Sequence, residues 1–278
     1  LGGTILTLEL TDNDFKRIST LVYAKSGINL HHGKKELVKA RLGRRLRATG
    51  CQSFEEYFNL LRNEQEGVEL VRMLDALTTN KTSFFREKNH FDYLEQVVFP
   101  EILERNRKKV KIRCWSAGCS SGEEPYSLAI CISEYFRSAP YLDAKILATD
   151  LSTAILKQAA DGVYSESKVQ GIPITLLRRY FRKGFGRRDG YYQVKDRLRN
   201  MVTFKRHNLM EQASFLEPFD LIMCRNVMIY FDKATQHTLV NGFYRHLRKG
   251  GRLFVGHAES LTGIEHPFTY VQPTLYRK

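Results

Sequence analysis

Residues 115–126 read Trp-Ser-Ala-Gly-Cys-Ser-Ser-Gly-Glu-Glu-Pro-Tyr, a turn of small residues between the apolar run 111–115 and a helical pattern that carries Leu128, Ile132 and Tyr135 on one face. Gly118 and Gly122 would let a ligand approach the backbone N–H groups of such a turn. Glu123 and Glu124, however, put two carboxylates where a dinucleotide enzyme would hold pyrophosphate. A ligand with hydroxyls or a positive charge fits better, and S-adenosylmethionine is one. Asp150 ends the next apolar run, about 27 residues after Glu123. A carboxylate there can accept both ribose hydroxyls of a nucleoside, or it can cap the following helix. Asn208 and Leu209 follow a third run, where an amide can pair with an adenine edge or merely close a loop. Arg225 and Asn226 follow a fourth, in Cys224-Arg225-Asn226-Val227-Met228-Ile229-Tyr230-Phe231. In an open α/β sheet such strand ends meet in one crevice at the carboxyl edge.

The elements that must position these residues follow from periodicity. The 278 residues are 42% apolar, enough for a core, and no run approaches the roughly 20 apolar residues of a membrane span. With no signal-peptide pattern at the start, the expected location is the cytoplasm, without membrane insertion. Five scattered cysteines without a C-x-x-C pair argue against a disulfide framework, and no metal is expected. Cys119 lies in the turn but has no base near it in sequence. Residues 1–3 read as a loose start. Helical patterns then follow, with cap candidates from Thr11 to Asp14, a stop at Gly27, a second helix ending at Gly50, a capping box at Ser53 and Glu56, and a fourth helix over 68–77. Residues 1–76 are expected to form an all-helical domain. Residues 77–90 are a polar linker, running into a long helix from about 87 to 105.

From residue 110 onward strands and helices alternate, which predicts a parallel, doubly wound sheet. Two final runs separated only by Gln272-Pro273 must form a hairpin, making one terminal strand antiparallel. Residues 165–200 stand outside the alternation. A short helix at 174–180 and two extended runs flanking Asp189-Gly190 predict a small antiparallel sheet inserted into the domain.

The 44 basic and 30 acidic residues leave a net charge of +14, which favours an acidic partner. Residues 34–47 hold seven basic and one acidic, and residues 165–200 hold ten and three. Two local patches therefore carry most of the excess. By helical geometry Lys34, Arg41, Arg44 and Arg45 fall on one stripe.

Four blocks, taken in order, carry a resemblance: Thr79-Asn80-Lys81-Thr82-Ser83-Phe84-Phe85-Arg86-Glu87, the 115–126 turn with its Ser-Gly-Glu-Glu-Pro-Tyr-Ser continuation, Ala148-Thr149-Asp150-Leu151-Ser152, and residues 224–232. Gly256-His257-Ala258-Glu259-Ser260 fits as well. Together they resemble the CheR family, the chemotaxis receptor glutamate methyltransferases. The resemblance implies a helical N-terminal domain, a linker, and a Rossmann-like S-adenosylmethionine domain with an inserted β-subdomain. It also implies that Asn80, Thr82, Arg86, Gly118, Glu123, Asp150, Asn208, Leu209, Arg225 and Asn226 surround the cofactor, and that Arg86 and Tyr230 face the reacting carboxylate.

That assignment agrees with the chemistry, because a glutamate with an ordinary pKa near 4.3 is already an anion and needs no general base to attack a sulfonium methyl. The implied partners are receptor methylation helices, met by Lys34, Arg41, Arg44 and Arg45. A receptor C-terminal peptide could also add to the inserted sheet near Gly184, Gly186, Arg187 and Arg188. Two rivals are a nucleic-acid methyltransferase and a catalytically silent receptor-binding module. The first lacks an Asn/Asp-Pro-Pro-aromatic run or a Pro-Cys pair after the fourth strand, so nucleic acid is not expected as a partner. Arg86, Asp150 and Tyr230 argue against the second.

Overall fold

The computed structural model describes residues 9–64, 67–78, 80–105, 109–139 and 141–278; residues 1–3 and Thr79 of the linker motif lie outside them. Four helices open the chain: α1 (Asp12–Ser26), α2 (Lys35–Thr49), α3 (Phe54–Asn63) and α4 (Val68–Leu77). At the start of α1 the Thr11 hydroxyl accepts from Asp14 N–H while Asp14 accepts from Thr11 N–H, a reciprocal cap, and Gly27 at φ 73° ends it. Ser53 caps α3, but Glu56 reaches Gln52 N–H instead of Ser53, so the expected box is only half formed. Phe15, Ile18, Val22, Val38, Leu42, Leu46, Tyr57 and Met73 fill a core shared by the four helices.

The long helix expected after the linker is interrupted. It runs as α5 (Lys88–Tyr93), a π-helical turn at Leu94–Val98, and α6 (Phe99–Arg105). Pro100 has no N–H to donate inside the helix, and the wider turn before it, with Phe99 N–H bonded to Leu94 O, relieves the mismatch.

The alternation then follows as β1 (Val110–Ala117), α7 (Glu123–Tyr135), β2 (Leu142–Asp150) and α8 (Thr153–Asp161). The inserted region holds β3 (Val163–Ser165), α9 (Glu166–Val169), α10 (Ile174–Tyr180), β4 (Phe181–Lys183), β5 (Tyr191–Val194) and α11 (Asp196–Arg199). The main domain resumes with β6 (Val202–Arg206), β7 (Phe219–Cys224), α12 (Lys233–His246), β8 (Leu247–Val255), β9 (Thr269–Gln272) and β10 (Leu275–Arg277). The seven-stranded sheet has the order β6-β2-β1-β7-β8-β10-β9, with β10 antiparallel to both neighbours. The order reverses direction between β1 and β7, which places a crevice at their carboxyl ends. Both central strands are buried almost throughout, as expected of parallel strands covered on two faces.

In the small sheet β5 lies between β3 and β4, all antiparallel. The insertion therefore starts at Val163, slightly earlier than the composition suggested. Among the described residues no helix is long and apolar enough to cross a membrane, and the five cysteines are free.

Candidate functional site

A cleft enclosing about 1240 Å³ of space, open to solvent, lies at the sheet's reversal point. Its floor is the end of β1. Gly118 and Cys119 both donate backbone N–H to Thr149 O, at 2.8 and 2.9 Å, tying the turn to β2. Ser120 follows at φ 50°, and its N–H donates to Asp150 Oδ2 at 2.9 Å while Ser152 N–H donates to Oδ1 at 3.0 Å. Burial pushes the Asp150 carboxyl up, against these backbone bonds that pull it down.

The polar linker forms a second wall. Ser120 Oγ donates to Asn80 O at 3.0 Å, and Phe85 N–H donates to Ser127 Oγ at 2.9 Å. Asn80, Lys81, Thr82 and Arg86 all line the cleft. The third wall comes from the helical domain, through Ser26, Ile28, Leu30, Lys34, Leu37, Val38 and Arg41. That domain is bonded to the loop after β7. Asn29 N–H donates to Tyr230 O at 2.8 Å, Ile28 and Phe231 form an antiparallel bridge, and Tyr23 OH donates to Asp232 Oδ2 at 2.7 Å. Lys34 Nζ stands 5.3 Å from the Tyr230 ring centroid.

Most residues singled out from the sequence meet here: Asn80, Thr82, Arg86, Gly118, Asp150, Asn208, Leu209, Arg225, Asn226 and Tyr230 line one cleft. Glu123 does not. It is fully buried, and Lys168 Nζ donates to its Oε1 at 2.9 Å and Ser121 Oγ to its Oε2 at 2.6 Å. Its neighbour Glu124 lines the cleft instead, accepting from Ser116 Oγ at 2.7 Å and Arg225 Nη1 at 3.1 Å. Burial raises the Glu124 carboxyl above its ordinary range in spite of Arg225.

The glycines of the turn also have a packing role. A Cβ on Gly118 would sit 2.4 Å from Val227 Cγ2, and one on Gly122 would sit 2.9 Å from Tyr164 OH. Both make room for neighbouring elements of the chain.

Two further lining side chains also bond within the protein. Asn208 Nδ2 donates to Lys25 O at 2.7 Å and its Oδ1 accepts from Met210 N–H at 3.1 Å, so the amide joins the helical domain to the sheet and keeps one N–H and one lone pair toward the cleft it lines. Arg225 donates to Glu87 Oε2 at 3.1 and 3.2 Å, to Glu124, and to Arg86 O. It stitches the β7 loop to the linker and to the start of α7. Glu87, His90 and His257 offer potential metal-ligand atoms within 4.8 Å of one another, but Glu87 Oε2 already holds the Arg225 guanidinium.

The basic stripe divides. Lys34 and Arg41 line the cleft, and Arg41 also donates to Leu77 O at 2.7 Å and Thr78 O at 3.1 Å. Arg45 is a structural partner of buried Glu69, bonded at 2.9 and 2.6 Å, whereas Arg44 is exposed. In the insertion, Gly184 is needed by its own hairpin, because a Cβ there would lie 2.1 Å from Arg188 O; a Cβ on Gly186 would meet nothing within 4 Å. Arg187 and Arg188 are exposed at the tip.

Glu87, Glu124, Lys81 and Ile28 escaped the sequence reading. The Glu-Glu pair includes Glu124, but the resemblance assigns only Glu123 to the cofactor. Lys81 and Glu87 stood inside a quoted motif. Ile28 carried no local signal.

The cleft fits a nucleoside with a sulfonium. Asp150, only 9% exposed, keeps acceptor capacity beyond its backbone bonds, Leu209 and Ile28 give apolar surface, and Glu124 supplies negative charge. Comparison with known proteins agrees. Residues 13–78 match the family described as "CheR methyltransferase, all-alpha domain", and residues 80–277 match "CheR methyltransferase, SAM binding domain". The chain is 40% identical over 277 residues to the chemotaxis protein methyltransferase of Borreliella burgdorferi, covering 98% of this chain and 96% of that one. It is 39% identical over 282 residues to the chemotaxis protein methyltransferase of Escherichia coli, covering 99% and 96%. The chain belongs to the CheR methyltransferase family, whose cofactor is S-adenosylmethionine and whose methyl transfer serves chemotaxis.

Proposed function

We propose that this enzyme methylates glutamate side-chain carboxylates of chemoreceptors, forming glutamate methyl esters. The observation that carries the reading is the charge of the cleft. Lys34, Arg41, Lys81 and Arg86 line it beside Tyr230, while both lining carboxylates, Glu124 and Asp150, already accept hydrogen bonds from the protein. Such a site attracts an acceptor that is itself an anion. A glutamate side chain meets that requirement at neutral pH without a base to deprotonate it.

S-adenosylmethionine, when bound, supplies a methyl group activated by its sulfonium. Asn80, Thr82, Asp150, Leu209 and Asn226 are the residues we assign to holding it, with Glu124 facing its positive charge in place of Glu123. Arg86 and Tyr230 orient the acceptor by charge-assisted hydrogen bonds, and the helical-domain wall excludes water from it. The exposed Arg44 steers acidic receptor helices toward the mouth. The β4 edge, next to the open space at Gly186, would take a receptor C-terminal peptide as an added strand. All of this is consistent with work in the cytoplasm.

The test uses methyl-labelled S-adenosylmethionine with receptor cytoplasmic fragments, followed by mild alkali. A carboxyl methyl ester releases volatile labelled methanol. Label that resists alkali, or that appears on RNA offered in the same assay, would overturn the reading.

A further inference from the structure

The residues Gly256-His257-Ala258-Glu259-Ser260 follow β8 and take no part in the chemistry above. Glu259 is 8% exposed, and its carboxylate faces the backbone of the loop after β7. Oε2 accepts from Asn226 N–H at 2.8 Å and from Gly256 N–H at 2.6 Å, and Oε1 accepts from Ile229 N–H at 3.2 Å. Three backbone donors therefore converge on one side chain. Two of them belong to the segment that presents Asn226 to the cleft and carries Tyr230 in the Met228–Tyr230 turn.

The conformation being held is a specific one. Asn226 stands at φ 60°, in the left-handed region that Asn tolerates better than most residues and that turns the chain sharply there. The two loops also meet backbone to backbone, since a Cβ on Gly256 would lie 2.8 Å from Asn226 N. A charged acceptor binding several N–H groups is about twice as strong as a neutral one and fixes direction as well as distance.

We infer that Glu259 is a positioning residue for methyl transfer: it sets the shape of the loop that aims Tyr230 at the acceptor. This rests on the proposed role of Tyr230.

Glu259→Gln separates the contributions. Its carbonyl oxygen can serve Asn226 and Gly256, but its NH2 would face Ile229 N–H, donor against donor, beside Tyr230. The variant should bind S-adenosylhomocysteine within about twofold of the parent, while kcat on receptor fragments falls roughly tenfold or more, the scale of a misaimed group. Combined with Tyr230→Phe, it should add little to the loss that Tyr230→Phe causes alone. Glu259→Asp, too short to reach all three donors, serves as the second variant.

If Glu259→Gln keeps full kcat while Tyr230→Phe loses it, the inference fails and the role of Tyr230 stands. If Tyr230→Phe keeps full kcat, that role fails, and amide exchange at Ile229 still judges Glu259: unchanged protection in both Glu259 variants overturns it. Equal losses of cofactor affinity and kcat would also overturn it, because they signal general damage.

Discussion

Replacing Arg45 tests whether the basic stripe on α2 is one surface or two kinds of residue. The Glu69 side chain is 5% exposed, and Arg45 holds both its oxygens, at 2.6 and 2.9 Å, with Tyr57 OH donating at 2.8 Å. Removing one partner of a buried pair costs about 3–5 kcal/mol, because a charge is left without compensation. Arg45 is itself 22% exposed and Arg72 stands 3.8 Å from the same carboxylate, so water and a second cation recover part of the loss. For Arg45→Ala we expect a destabilisation of about 2–3 kcal/mol, against less than about 0.5 kcal/mol for exposed Arg44→Ala.

The pH dependence gives a second reading. Burial raises the Glu69 carboxyl, but hydrogen bonds from Arg45 and then Tyr57 bring it below its ordinary value. A depressed carboxylate contributes stability above its unfolded pKa, about 4.3, and loses it as pH falls through the folded value. The gap between parent and Arg45→Ala should therefore narrow in acid. Urea unfolding followed by circular dichroism, at neutral pH and near pH 3.5, measures both. Equal midpoints for Arg44→Ala and Arg45→Ala at neutral pH would refute the division of the stripe.

Asp150→Ala should weaken S-adenosylmethionine binding by about 1–3 kcal/mol, measured by calorimetry on a variant shown to be folded. Gly118→Ala should cost about 1–3 kcal/mol in denaturant stability and also lower turnover, because the new methyl meets Val227, next to Asn226, at a residue with φ 85°. His90, 1% exposed, has its pKa lowered to about 4 by burial and by the charge of Arg225. The unfolded imidazole titrates near 6.5, so about 3 kcal/mol of stability is present above that pH and is lost as pH falls toward 4. His90→Gln should flatten the stability profile over that window. Reversing Arg44 to Glu should slow receptor methylation at low salt and reduce its salt dependence, with methylation of a short uncharged acceptor as control.

Elements fixed by neighbours in sequence could be read in advance. The cap at Thr11, the stop at Gly27 and the hairpin around Gln272-Pro273 need only residues within a few positions. The same holds for the gathering of strand ends, which follows from alternation and one reversal of strand order. What could not be read depends on partners far along the chain. Glu123 and Glu124 are adjacent on a helix and so diverge by about 100°. Which of them faces the cleft is decided by Lys168, 45 residues away, and by Arg225, 101 residues away. Arg45 looked like its neighbours on α2 until Glu69 came across from α4. That the Asn208 amide also donates to Lys25 O, 183 residues distant, had no signal near it in the sequence.

The bridge between Ile28 and Phe231, with Asn29 N–H on Tyr230 O, bears on the order of events in turnover. The segment that roofs the cleft is the same segment that supports the backbone of Tyr230. A swing of the helical domain that widened the cleft for cofactor exchange would break those bonds and, with Tyr230 in its proposed role, would disturb the acceptor side while the donor side is open. Exchange and transfer would then exclude each other in time. Such an enzyme should load its cofactor before its protein substrate, and a receptor already seated at the mouth should slow cofactor release.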